Sequence, residues 1–214
     1  MNDKICYIVC AGEKTPLNFS KSENDVLIVA DGGYKYLNEL KQLCDILVGD
    51  FDSINKIPSG VNVKKLNVEK DETDTFVCVE EGLKRGCNKF YIYCGTGGRV
   101  DHTIANVQTL IYLAKKNIYA YLFTNNGQVI TAIPENKALT FSEKAKGTIS
   151  FFATEKEVCG VNINGLKYGL KNGTLSNSFP LAISNSFIGK NSSVYAEKGV
   201  LLAVFLAENI NNIT

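Results

Sequence analysis

Along its first 125 residues the chain alternates short apolar runs with longer amphipathic stretches. The runs at 6–10, 26–30, 46–48, 90–94 and 119–123 are continuous rather than alternating, the pattern of strands buried on both faces. Between them the spacing predicts helices over 34–42, 74–85 and 103–116. The second follows Thr73, a good N-cap, and stops at Gly86, a good residue for the position after a helix. The third starts near Asp101 and ends with two lysines ahead of Asn117, in line with the helix dipole. Such alternation predicts a three-layer α/β domain with a mostly parallel sheet.

The pattern changes after Asn125-Asn126-Gly127, a strong turn signal. From Gln128 onward there is no helical period. Strand-like runs recur at 129–133, 148–153, 158–163, 181–184, 193–195 and 200–205, with turns such as Asn164-Gly165 and Asn172-Gly173 between them. Short strands at this spacing predict a C-terminal antiparallel β-sandwich. The expected division is an α/β domain over 1–126 and a sandwich over 127–214.

Composition narrows the function. The chain has 214 residues, 45% of them hydrophobic, so it can bury a real core. Its 23 basic and 22 acidic residues leave a net charge of +1, which argues against a nucleic-acid partner and for a small-molecule ligand. The seven cysteines are odd in number and contain no Cys-x-x-Cys pair, so they read as free core thiols in a reducing compartment. A zinc site is not expected, since His102 is the only histidine. The run at 5–9 is too short for a signal or a membrane span, and a cytoplasmic protein is expected.

Four segments carry chemistry, each where an α/β sheet would place a loop at the carboxyl end of a strand, the edge where open α/β sheets bind ligands. Asp31-Gly32-Gly33 allows a close backbone approach and offers a carboxylate; alone it also reads as an ordinary turn. Gly49-Asp50-Phe51-Asp52-Ser53 sets two carboxylates at i and i+2, hard oxygen ligands that suit magnesium; alone it also reads as a solvated acidic turn. In Asp71-Glu72-Thr73-Asp74 the last residue falls in a first helical turn; alone, Thr73 and Asp74 read equally well as helix capping. In Gly95-Thr96-Gly97-Gly98-Arg99-Val100-Asp101-His102, glycines precede a helix start and Arg99 can clamp phosphate in fork geometry. This is neither a Walker A loop nor a dinucleotide fingerprint, and His102 is better read as a local hydrogen-bonding residue than as a base. Together the segments bring Asp31, Asp50, Asp52, Asp74, Asp101, Thr73 and Arg99 to one sheet edge. Converging carboxylates need a divalent cation, and a cation beside a glycine-rich loop and an arginine implies a polyphosphate. The residues by themselves therefore reach a nucleotide-dependent phosphoryl or pyrophosphoryl transferase.

These segments, in this order and spacing, resemble those of thiamine pyrophosphokinases. Farther on, Gly165-Leu166-Lys167-Tyr168-Gly169-Leu170 resembles that family's Gly-Leu-Lys-Tyr-Pro-Leu segment, with glycine in place of proline, and Ser184-Asn185-Ser186-Phe187 resembles its late Ser-Asn motif. The resemblance implies an α/β catalytic domain, a β-sandwich and a homodimer with thiamine at the subunit interface. It implies pyrophosphate transfer from ATP to the thiamine hydroxyl, giving thiamine diphosphate and AMP. It places magnesium on Asp50, Asp52 and Asp74, and catalysis on these with Asp101. It places ATP at Asp31, Gly32, Gly33, Asp71, Thr73, Gly97, Arg99, Asp101 and His102, and thiamine at Tyr168, Ser184 and Asn185. The chain has no tryptophan, so a phenylalanine or tyrosine would have to stack on thiamine. Two rivals remain at this level: a pyrophosphokinase or nucleotidyltransferase with another alcohol as acceptor, and a binding module without turnover.

Overall fold

The apolar runs of the N-terminal half become strands whose residues are almost all buried. In a computed structural model, which describes residues 3–51, 60–66 and 71–214, β1 spans Ile5–Val9, β2 Val26–Ala30, β3 Ile46–Gly49, β4 Asn62–Lys65 and β5 Lys89–Tyr93. They pair in parallel, in the order β5-β1-β2-β3-β4. The helices are α1 (Tyr34–Glu39), α2 (Asp74–Lys84) and α3 (Val100–Lys115). Thr73 caps α2 as its sequence predicts, its side-chain oxygen accepting from the Phe76 N–H at 3.2 Å. That helix packs on β1, β2 and β3, burying Thr75, Cys78, Val79 and Gly82. All seven cysteines are free, and six of them are buried.

The described chain forms two compact units, Met1–Thr109 with Leu122–Asn126, and Leu110–Tyr121 with Gly127–Thr214. Strand β6 (Tyr119–Phe123) runs through the division. The second unit holds β7 (Gln128–Ile133), β8 (Ala138–Phe141), β9 (Thr148–Ala153), β10 (Val158–Asn164), β11 (Leu170–Leu175), β12 (Asn185–Ser186), β13 (Ser192–Tyr195) and β14 (Leu201–Leu206). One antiparallel layer runs β12-β9-β14-β7 and the other β11-β10-β13-β8. Burial alternates along β9, β13 and β14, as expected where only one face of a layer is covered. Phe141 from one layer meets Phe205 from the other edge-on, with ring centroids 5.1 Å apart, and meets Phe187 edge-on at 5.0 Å. An α/β domain followed by an antiparallel sandwich is the fold class that the sequence predicts.

Three expectations need correction. The helix predicted over 34–42 ends at Glu39, because Lys41 adopts a left-handed φ of 54°. The helix predicted from 103 begins at Val100. The run 181–184 is not a strand: Leu181 and Ile183 are exposed rather than packed, and the neighbouring ladder involves only Asn185 and Ser186.

Candidate active site

Beyond the ends of the parallel strands, the backbone ladder continues into the loops. The Cys10 N–H donates to the Tyr93 carbonyl at 2.9 Å, Gly12 to Cys94 at 2.8 Å, and Glu13 to Thr96 at 2.9 Å. The approach is so close that a β-carbon on Gly12 would lie 2.6 Å from the Cys94 carbonyl oxygen. The Tyr36 hydroxyl donates to the Gly12 carbonyl at 2.6 Å and fixes α1 against the same loop.

These loops enclose a cavity of about 500 Å³. Its walls come from the loop after β1 (Cys10 to Glu13), from Lys35 and Tyr36 on α1, from Asp74 and Thr75 on α2, and from the glycine-rich segment with Arg99, His102 and Asn106. Gly97 and Gly98 take left-handed φ values of 80° and 62°, which glycine alone adopts readily. The Glu13 carboxylate accepts from the Gly98 N–H at 3.1 Å and from the Asn125 side chain, so it ties this turn down. Asn106, buried in α3, donates to the Gly95 carbonyl at 2.7 Å and holds the other end.

The predicted residues divide. Asp74, Gly97, Arg99 and His102 line the cavity. Arg99 and Asp101 are both exposed and engage each other, with Nε to Oδ1 at 3.1 Å. The arginine's hydrogen bonds hold the Asp101 carboxyl below the usual carboxylate range. Asp71 is exposed, Thr73 is spent on its cap, and Asp50 is half-buried at the end of β3. Gly32 and Gly33 form a tight 3₁₀ turn between β2 and α1. Asp31 is buried, and its Oδ2 accepts from the Phe51 N–H at 3.2 Å. Asp52 lies outside the described residues. Among the described residues no group of three or more His, Cys, Asp or Glu side chains is arranged to hold a metal ion. Cys10, in the cavity wall, contacts the Thr75 hydroxyl at 3.2 Å, and burial pushes its thiol up to about 12.

In the second unit, Tyr168 is exposed, and Ser184 is exposed with a left-handed φ of 57°. Asn185 turns inward. Its Oδ1 accepts from the Tyr168 N–H at 3.0 Å and the Ser186 N–H at 2.9 Å, and its Nδ2 donates to the Tyr168 carbonyl at 2.7 Å. This unit also carries a cleft of about 310 Å³ lined by residues 151–153 and 175–182.

The sequence reading missed Glu13, Lys35, Tyr36 and Asn106. The signal for the first was present: Ala11-Gly12 follows a buried strand at the edge where the other loops were sought.

Two family models match the chain: the thiamin pyrophosphokinase catalytic domain over 19–122 and the thiamin pyrophosphokinase vitamin B1 binding domain over 136–201. The chain belongs to the thiamin pyrophosphokinase family. It is therefore an enzyme that pyrophosphorylates thiamine, and the family's reaction is pyrophosphoryl transfer from ATP. It is 29% identical to the thiamine pyrophosphokinase of Bacillus subtilis over 73% of this chain and 75% of that protein. It is 26% identical to thiamin pyrophosphokinase 1 of Caenorhabditis elegans over 88% of each. The crystal structure of the B. subtilis thiamine pyrophosphokinase superposes with a TM-score of 0.85 and 26% identity, covering 96% of this chain and 100% of that one. A thiamin pyrophosphokinase from Geobacillus thermodenitrificans shares the fold at a TM-score of 0.80, with 24% identity and coverage of 94% and 96%.

Proposed function

We propose that the cavity of the first unit binds ATP with magnesium, and that the thiamine hydroxyl attacks the β-phosphorus there, releasing AMP. The observation that carries this reading is the meeting of glycine backbone, Lys35, Arg99 and Asp74 in one cavity at the carboxyl ends of parallel strands. The side-chain-free turn at Gly97 and Gly98, with the start of α3 behind it, suits a close approach of phosphate oxygens. Gly32, Gly33, Asp71, Thr73 and His102 would border the nucleotide around this centre.

Asp50 and Asp74, with Asp52 from outside the described residues, would hold the cation. The hard carboxylate oxygens of this set fit magnesium. When bound, the ion would offset the charge of the β- and γ-phosphates.

The Arg99–Asp101 pair supports a division of labour. A phosphate would compete with Asp101 for the guanidinium fork. Asp101, once released, loses the hydrogen bonds that depress its pKa and becomes the better base for the hydroxyl proton.

On this reading, thiamine meets Tyr168 and Ser184 of the second unit at a homodimer interface, and Asn185 sets the backbone of Tyr168. Exposed Phe152, Tyr168, Phe179, Leu181, Ile183 and Ile188 in that unit support a covered apolar surface. The free thiols support a reducing compartment, the cytoplasm. No described helix is long and apolar enough to cross a membrane.

Incubation with ATP, magnesium and thiamine should yield AMP and thiamine diphosphate in equal amounts. Release of ADP, or equal turnover with unrelated alcohols, would sink the assignment.

A further inference from the structure

The glycine-rich turn ahead of α3 is held by an acid from another loop. Glu13 follows β1, and its backbone N–H donates to the Thr96 carbonyl at 2.9 Å. Its Oε1 accepts from the Gly98 N–H at 3.1 Å, and its Oε2 accepts from the Asn125 side chain. The carbon stem lies against Gly97, where an added β-carbon would lie 2.6 Å from the Glu13 Cγ and 2.8 Å from its Cβ. At Gly98 an added β-carbon would meet no atom within 4 Å. The two glycines therefore differ. Both take left-handed φ values, but only Gly97 also makes room for Glu13.

Glu13 lines the cavity together with Gly98 and Arg99. By charge alone a carboxylate is out of place in a polyphosphate site, because it repels the ligand. Each of its oxygens instead accepts from an N–H group, one on the turn and one on Asn125. We infer that Glu13 is a positioning residue for the phosphate-facing turn: it fixes Gly97 and Gly98, and with them the backbone leading into Arg99, against the loop after β1 and against Asn125, without touching the nucleotide. This rests on the reading of the cavity as an ATP site. Such a clamp needs hydrogen-bond acceptors and not a charge. Glutamine keeps an acceptor oxygen for Gly98, and the Asn125 amide can reverse to accept from the glutamine nitrogen. Alanine removes both bonds and the stem over Gly97. Clamp and charge thus act in opposite directions, since loss of the charge by itself favours an anionic ligand.

The test is calorimetric titration of the full chain, with magnesium present, by an ATP analogue whose α–β bridge cannot be cleaved. Amide hydrogen exchange at Gly98 is followed alongside. Glu13→Ala should weaken the analogue about tenfold, the scale of one or two lost hydrogen bonds, and speed exchange at Gly98. Glu13→Gln should bind the analogue at least as tightly as the parent and keep Gly98 protected. Asn125 does not line the cavity. Even so, Asn125→Ala should weaken the analogue about threefold in the parent and add nothing in the Glu13→Ala chain, because its effect passes through the Glu13 carboxylate.

Three results overturn the inference. Binding by Glu13→Ala as tight as the parent's, or tighter, would leave the carboxylate no positioning role. Binding by Glu13→Gln as weak as that of Glu13→Ala would mean that the charge itself meets the nucleotide or its cation. Independent losses for Glu13→Ala and Asn125→Ala would mean that the two residues do not act as one clamp. A parent chain that fails to bind the analogue would remove the ATP reading itself, and the inference would fall with it.

Discussion

The two units bury their strands in opposite ways. In the first, β2 and β3 are buried along their whole length, and the polar groups of interest lie past the strand ends, on loops and on the helices α1, α2 and α3. In the second, β9, β13 and β14 alternate buried and open positions, and the unit keeps large apolar side chains such as Phe179 and Leu181 exposed. A sheet covered on both faces is a stiff base that can hold loop residues in fixed relative places. A sandwich with an open apolar surface offers area for recognition instead. The comparison predicts that chemical damage comes from the first unit and acceptor-binding damage from the second.

The largest effect should be on stability. Phe141→Ala empties the aromatic junction between the sandwich layers and should cost about 4 kcal/mol, read as a lower denaturant midpoint for the second unit. A cost below about 1 kcal/mol would show that the layers do not depend on this contact. Next, Asp74→Asn should lower kcat by about a hundredfold while leaving the KM for thiamine nearly unchanged. Ser184→Ala should do the reverse, raising the KM for thiamine about tenfold with kcat little altered, the scale of one lost hydrogen bond. Should Ser184→Ala cut kcat and spare KM, the division between units would be wrong.

The smallest effect is a titration. Arg99 holds the Asp101 carboxyl below its ordinary range, so the ionised form persists as pH falls through that range. Arg99→Ala should raise this carboxyl's midpoint, followed by carbon NMR of the side chain. Because Asp101 is fully exposed, overall stability should barely respond.

Much of the fold was readable because burial is written as apolar runs. The runs at 26–30 and 119–123 match β2 and β6 residue for residue. Strand β4 has no such signal. Its Asn-Val-Lys-Lys is mostly exposed, and backbone pairing to β3 alone makes it a strand. The run 181–184 misleads for the opposite cause, since its apolar residues serve a surface rather than a core. The site was legible as residue types but not as directions. Asp31 and Asn185 both carry polar groups at the right loops, and both turn inward to backbone N–H groups. Composition and spacing do not distinguish a side chain aimed at a ligand from one aimed at its own chain.

The ladder that continues from β1 into Gly12 and Glu13 has a consequence for evolution. Any side chain at position 12 would collide with two carbonyl oxygens, those of Cys94 and Thr96, rather than with a side chain that can swing away. A library randomised at this codon and selected for function should return glycine almost alone. The neighbouring codon for Ala11, whose side chain is exposed, should accept many residues. Within two codons, then, the rim of the cavity passes from a position closed to drift to one where relatives of this enzyme are free to diverge.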